Sequence, residues 1–243
     1  MKIPAFITVR TQSTRLPKKC LLPFGKGNVL EHIINRSKYY GLEPYICTTL
    51  ESNDDIIEEI AKNHNVKFYR GSTINKLKRW LDCCEHYDIN QFHTVDADDP
   101  FFDGDEVKRS IVLLNEGYDM VSPTSSSSSG DASVGYSLTK DIIARTCTLF
   151  EENSDTEIMW YYIEKVKGIN KIALPDQDSN PIKIRLTLDY EEDYWLLSTV
   201  QRILSTQASR KEVNDLFRNN PDLYKVNWFR NIDWQEDQLA KKI

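Results

Sequence analysis

The sequence predicts an α/β protein built on a doubly wound, mostly parallel sheet, and three observations carry that prediction. Short β-rich segments alternate with amphipathic helical segments through the first half of the chain, which implies parallel strands joined by right-handed crossovers. Hydrophobic residues make up 40% of the 243, enough for a buried core. Neither an internal repeat nor a composition break divides the chain, so it reads as one domain with a smaller C-terminal lobe.

The elements follow in order. Ile3 to Val9 (IPAFITV) has the length and composition of a short buried strand, with Pro4 confined to its start. Asn28 to Tyr40 places Val29, Ile33, Ile34 and Ser37 on one helical face, and Gly41 is positioned to end the helix. Pro44 to Thr49 is a second strand. The segment SNDDIIEEIAKNHN is a second helix, with Ser52 or Asn53 as its N-cap and acids in its first turn. Val66 to Tyr69 is a third strand, RGSTINKLKRWLDCCEHYD a turn leading into a helix, and Gln91 to Val95 a fourth strand that stops at DADDP. Glu106 to Glu116 then reads as a helix and Tyr118 to Ser122 as a strand. Thr124 to Ser129 with Gly130 is a low-complexity serine loop, expected to be mobile and solvated. From Ser133 the pattern is irregular. Later expectations are a helix over Glu157 to Val166, a strand over Ile182 to Leu188, and helices over Glu191 to Leu204 and Lys211 to Phe217.

Charge narrows the function. Acids outnumber bases 37 to 31, giving a net charge of -6. That balance argues against nucleic acid or an anionic membrane as partner. Five cysteines without a CxxC pair suggest neither a disulfide framework nor a zinc knuckle, and fit a reducing, cytoplasmic setting. No run approaches the 18 apolar residues of a membrane span.

Against this acidic background, the stretch after the first strand is cationic. Arg10, Arg15, Lys18, Lys19 and Lys26 precede the first acid, Glu31. In an open parallel sheet, ligands sit beyond the carboxyl ends of strands, so this loop is placed for a phosphate group. Arginine offers bidentate hydrogen bonds to phosphate and lysine a compact charge. The plainer reading is a solvated basic turn.

Two acidic stretches complement it. VDADDPFFD, Val95 to Asp103, puts Asp96, Asp98 and Asp99 at the end of a strand, where carboxylates can hold Mg²⁺. Strand alternation would point Asp96 and Asp98 one way and Asp99 the other. The plainer reading is an Asp-rich turn or an N-cap. RLTLDYEEDYWLL, Arg185 to Leu197, ends another expected strand at Asp189. Glu191, Glu192 and Asp193 suit the first turn of the following helix. Two separated strands that each end in an aspartate could share one cation. His32, His64 and His86 read as structural, as do Cys83 and Cys84, one of which is expected to pack inward; His93, in the strand before the acidic cluster, reads as a core residue, with lining of the site as the alternative. Trp228, Phe229 and Trp234 read as core closure or a dimer face.

Arg10 followed by STRLPKK at Ser13 to Lys19 resembles the signature of the cytidylyltransferases that activate acidic sugars. That group includes 3-deoxy-manno-octulosonate and acylneuraminate cytidylyltransferases and a spore coat polysaccharide biosynthesis branch. VDADDPFFD is similar to the family's G-D-x-P segment, with Ala97 in place of its glycine. RLTLDYEEDYWLL, ICTTLESNDDII and FYRGST resemble further segments. The resemblance implies a nucleotide-diphospho-sugar transferase (GT-A-like) architecture over residues 1–243. Residues 1–123 would be the nucleotide-binding half and 124–243 the acceptor and dimerisation half.

It also implies Mg²⁺-dependent transfer of CMP from CTP to a small anionic acceptor, in surface polysaccharide or glycoconjugate biosynthesis, by a homodimer. Arg10, Arg15 and Lys19 would bind the triphosphate and Ser13 would add a polar loop contact. Asp98 and Asp189 would hold Mg²⁺, with Arg10, Arg15, Lys19 and Asp98 carrying the chemistry. Gly71 and Ser72 would lie near the cytosine. The stretch Ser125 to Thr139 lacks the glutamate expected after Gly135, and Glu157 is followed by Ile158 where histidine is common. Alternatives are a phosphate or phosphonate acceptor, or a nucleotide-binding module without turnover.

Overall fold

The computed structural model describes residues 2–125, 135–177 and 182–240. Most of the expected serine loop, and the acceptor-side stretch up to Val134, therefore lie outside the described residues. Four parallel strands form the first half of the sheet: β1 (Ile3–Thr8), β4 (Leu42–Thr49), β5 (Lys67–Gly71) and β6 (Gln91–Asp96). Between β1 and β4 lie a two-residue hairpin, β2 (Pro23–Phe24) and β3 (Gly27–Asn28), and helix α1 (Val29–Tyr39). Crossover helices α2 (Asp55–Asn63) and α3 (Lys76–Tyr87) complete the alternation expected from the sequence.

Beyond β6 the pattern changes. Helix α4 (Gly104–Leu114) and strand β7 (Met120–Ser122) lead to β8 (Ser137–Thr139), which pairs antiparallel with both β6 and β7. Helices α5 (Lys140–Cys147) and α6 (Met159–Ile163) follow, then β9 (Lys171–Ala173), parallel to β7. The sheet order is β5-β4-β1-β6-β8-β7-β9. Helices α7 (Glu191–Ile203), α8 (Arg210–Asn219) and α9 (Arg230–Ala240) close the chain. Among the described residues, no helix is long and apolar enough to cross a membrane.

The period-2 alternation of β1 divides the core. Ala5 and Ile7 face α1, α2, α4, α7 and α8, whereas Phe6 faces α3, α5 and α6, stacking on Phe92 with centroids 4.0 Å apart. Cys83 and Cys84 are both buried on this second face, where one was expected. Local signals set the helix ends. Asn28 accepts from the Glu31 amide while Glu31 accepts from the Asn28 amide, a capping box, and Gly41 follows α1 with φ +79°. Gly135 has φ +84°, and a Cβ there would strike the Thr94 carbonyl oxygen, so the turn into β8 admits only glycine without strain.

Three expectations need correction. Residues 182–188 are not a strand. Burial does not follow strand alternation there, because Arg185 is as inaccessible as Ile184, Leu186 and Leu188 while Lys183 is exposed. Its backbone bonds also leave the ladder pattern: Leu188 N donates to the Asp98 carbonyl, and the Arg185 carbonyl accepts from the Asn227 side chain. The second helix is capped by neither Ser52 nor Asn53, since 52–54 form a 3₁₀ turn and Asp54 occupies the cap position. The helix expected over Glu157 to Val166 shrinks to α6, with irregular chain on either side.

One buried histidine ties α1 to the acidic turn after β6. His32 packs between Phe24 and Phe101, and its Nε2 donates to the Pro100 carbonyl at 2.7 Å. Burial lowers its pKa to about 4; the carbonyl opposes that shift, and Arg36 adds to it. Below an unfolded-state pKa near 6.5, only the unfolded chain takes up this proton. Stability attributable to His32 is therefore lost as the pH falls from about 6.5 toward 4, by about 1.4 kcal/mol per unit. Denaturant titrations across that range are expected to show this slope in the wild type and a flatter one in His32→Gln.

Candidate active site

The crevice lies beyond the carboxyl ends of β1, β4, β5 and β6, where Thr8 is in register with Cys47 and Asp96. Asp54 anchors the cationic loop as it leaves β1. Its buried carboxylate accepts from the Thr11 amide at 2.8 Å, from the Thr11 hydroxyl at 2.7 Å and from the Thr49 hydroxyl. The loop then turns through Lys18, whose φ of 54° is left-handed, into a 3₁₀ turn over Lys19–Leu21. Leu16, Cys20 and Leu21 pack on the α1 side of the core. Apolar anchoring on one side leaves the Arg15 and Lys19 heads to face the crevice, while Ser13 lies half-buried and Lys18 exposed in the same loop.

Lys19 joins the two distant aspartates. Its Nζ donates to Asp98 Oδ2 at 2.7 Å and to Asp189 Oδ1 at 3.0 Å. Arg15 Nη2 donates to the same Asp189 oxygen at 2.6 Å, and its Nη1 reaches Asp237 on α9 at 3.1 Å. Burial works against the charge on Lys19, but the paired carboxylates outweigh it and raise the pKa. Burial likewise opposes ionisation of Asp189, yet Lys19 and Arg15 hold it down at about 2. Asp98 moves the other way: burial, with Asp189 and Asp96 nearby, raises its pKa despite Lys19.

Asp189 is aimed by a buried network that motif reading did not find. Arg185 bonds Asp193 through Nε at 2.9 Å and Nη2 at 3.0 Å, and donates to Asn231 at 3.0 Å. Asp193 also accepts from the backbone amides of Asp189 and Tyr190 and from Asn227. The expectation that Asp193 serves the helix start is met, because it is the third residue of α7. It also fixes the backbone that carries Asp189. A charged residue amid the apolar alternation of IKIRLTL, followed eight residues later by an acid, was the available signal.

The other acids and cations meet on the α3 side. Arg10 is not grouped with Arg15 and Lys19; its Nη2 pairs with Glu157 at 3.4 Å. Lys76 Nζ donates to Asp96 Oδ1 at 3.4 Å. Arg79, also buried, donates to the Ser72 carbonyl at 2.8 Å. The Ser72 hydroxyl accepts from the Asn75 amide, so its side chain shapes the turn into α3, and Gly71 ends β5 where a Cβ would come within 3.1 Å of the Arg79 side chain. Lys76 and Arg79 escaped sequence reading, although helical spacing places Lys76 with Trp80 and Arg79 with Cys83 on the apolar face.

Asp96, Asp98 and Asp99 converge, with one carboxylate oxygen from each lying within 4.8 Å of the others. The expected divergence of Asp99 fails because β6 ends at Asp96. Beyond it the chain turns back, Asp99 N donating to the Asp96 carbonyl at 3.1 Å. Such an all-oxygen set suits a hard divalent cation. Asp189 lies beside this group on the Lys19 side, with its carboxylate engaged by Arg15, Lys19 and Arg185.

Known proteins share this sequence pattern and fold. A cytidylyltransferase of Leptospira borgpetersenii serovar Hardjo-bovis shares 27% identity and a TM-score of 0.81, the match covering 92% of this chain and 97% of that one. The Bacillus subtilis spore coat polysaccharide biosynthesis protein SpsF is 26% identical over 230 residues, 89% of this chain and 94% of its own length. The structure of CMP:2-keto-3-deoxy-manno-octonic acid synthetase complexed with CTP has the same fold, with a TM-score of 0.65 at 13% identity over 84% of this chain and 99% of that one. The model of the family described as cytidylyltransferase matches residues 5–215, spanning the cationic loop, the acidic turn and Asp189. By that match the chain belongs to the cytidylyltransferase family and is a CTP-dependent nucleotidyltransferase.

Proposed function

We propose that the protein transfers CMP from CTP to an acidic sugar, releasing pyrophosphate, with Mg²⁺ as the divalent ion. The observation that carries this reading is Lys19 bridging Asp98 and Asp189, which brings a cation of the loop and two carboxylates together in one crevice. The similarity to SpsF, whose name states a role in spore coat polysaccharide biosynthesis, supports a sugar acceptor and a polysaccharide pathway.

In this reading the triphosphate lies over the loop from Arg10 to Lys19. An acceptor oxygen attacks the α-phosphorus in line, and the bond to the oxygen bridging α- and β-phosphorus breaks. That electron pair leaves on pyrophosphate. Arg15 and Lys19 are held by carboxylates that phosphate oxygens can replace, so they can follow the charge that grows on the leaving group. Arg10 joins them by leaving Glu157. Asp98 and Asp189 are the proposed metal ligands, and the convergent oxygens of Asp96 and Asp99 fit a cation beside them. When bound, Mg²⁺ supplies charge neutralisation at the reacting phosphoryl group and lowers the pKa of the acceptor hydroxyl. Gly71 and Ser72 bound the crevice on the cytosine side, and Ser13 supplies a loop contact. Residues 1–123 serve the nucleotide, and 124–243 serve the acceptor and a homodimer.

Purified protein incubated with CTP, Mg²⁺ and a panel of acidic sugars is expected to release pyrophosphate with at least one of them. Silence across the panel, with CTP bound, would overturn the assigned acceptor class. Lys19→Met and Asp98→Asn are each expected to lower kcat/KM by about 100-fold or more. Arg185→Met is expected to lower the melting temperature as well as activity, because it leaves Asp193 buried without its partner; calorimetry alongside the assay would separate the two effects.

A further inference from the structure

The reaction described above leaves Lys76 without a task. It is the first residue of α3 and only 7% exposed. Burying an ammonium costs several kcal/mol when its partners are incomplete, and the first turn of a helix sets it against the positive end of the dipole. Asp96, at 3.4 Å, is its one hydrogen-bond partner among the described residues, and the Trp80 ring lies 5.2 Å away. An ammonium has three donors, so this one is underused. Nor does Asp96 require it, because the Asp96 side chain is 37% exposed and can be hydrated.

The second observation is where the two lysines come from. Lys19 sits in a loop whose Leu16, Cys20 and Leu21 pack on the α1 face of the sheet. Lys76 sits on α3, whose Leu77 and Trp80 pack on the opposite face. The two ammoniums thus reach Asp98 and Asp96 from opposite faces, while those carboxylates offer oxygens within 4.8 Å of each other. In the CTP reading above, the β- and γ-phosphates lie over the cationic loop and the α-phosphate in front of these aspartates. Lys19 then meets it from the pyrophosphate side and Lys76 from the other.

We propose that Lys76 is a substrate-contacting cation whose ammonium binds the α-phosphate, the group that stays with the nucleoside when pyrophosphate leaves. The proposal rests on the CTP reading above. Its signature is a division of labour between the two lysines: Lys76 holds the nucleoside monophosphate portion, and Lys19 holds the departing portion.

Calorimetric titration of CTP, CMP and pyrophosphate, each with Mg²⁺, reads this out. Lys76→Met is expected to weaken CTP and CMP alike by about tenfold and to leave pyrophosphate within about twofold. Lys19→Met is expected to weaken pyrophosphate more than CMP. Lys76→Arg keeps the charge and should hold CMP within about threefold of wild type, which also covers the case in which the methionine variant does not fold. In the double variant K76M/D96N, CMP binding should remain weak. Its recovery there would show that Lys76 merely balances Asp96, and would overturn the proposal. Unchanged CMP binding in Lys76→Met, or an equal loss for pyrophosphate, would also overturn it. A wild type that binds CMP or CTP but fails these contrasts would leave the CTP reading intact. A wild type that binds neither nucleotide would remove both.

Discussion

Two carboxylates held close together repel each other, and the ammonium of Lys19 is what lets the half-buried Asp98 and the buried Asp189 share one crevice. The three residues come from a loop near the amino terminus, a turn in the middle of the chain and an irregular segment near its end. Coulomb attraction in a partly dry site is strong enough to fix such a junction, and the same dryness makes an unmatched charge expensive. The surrounding structure can be understood as support for this junction. Asp54 fixes the start of the loop, His32 the turn that carries Asp98, and the Arg185–Asp193 pair the backbone that carries Asp189.

Much of this was legible in the sequence, for identifiable reasons. The alternation through β6 follows from local periodicity and capping, as at Asn28 and Glu31, where neighbouring residues alone decide the outcome. Arg15, Lys19, Asp98 and Asp189 could be nominated because a charge excess in one loop and aspartates at chain turns leave a visible pattern. What failed depended on contacts distant in sequence. Segment 182–188 alternates like a strand, but the partners of Arg185 lie up to 46 residues away and draw it out of the sheet. Strand β8 was hidden because three residues carry too little periodicity to stand out. Asp99 was misdirected by extending strand geometry past its last paired residue.

The cations divide into two groups that the loop's sequence alone does not distinguish. Arg10 is nine residues from Lys19 yet pairs with Glu157, just ahead of α6, whereas Lys19 pairs across the α1 side. The sheet edge separates them, with Asp96 and Asp98 at the boundary. A flexible substrate lying along this edge would meet positive charge on both flanks and carboxylates in the middle. That alternation favours an extended polyanion carrying a divalent ion over an isolated anion of similar charge.

The position of Asp189, together with its anchors Asp193, Asn227 and Asn231, has a bearing on biosynthesis. A ribosome delivers the cationic loop and the acidic turn early, and both can settle onto the sheet while the remainder is still being made. The carboxylate that joins them arrives 170 residues after Lys19. Until then Lys19 and Arg15 lack their shared partner, and the crevice has one wall missing. The finished geometry of the crevice therefore waits on the synthesis of Asp189 and the segment that holds it.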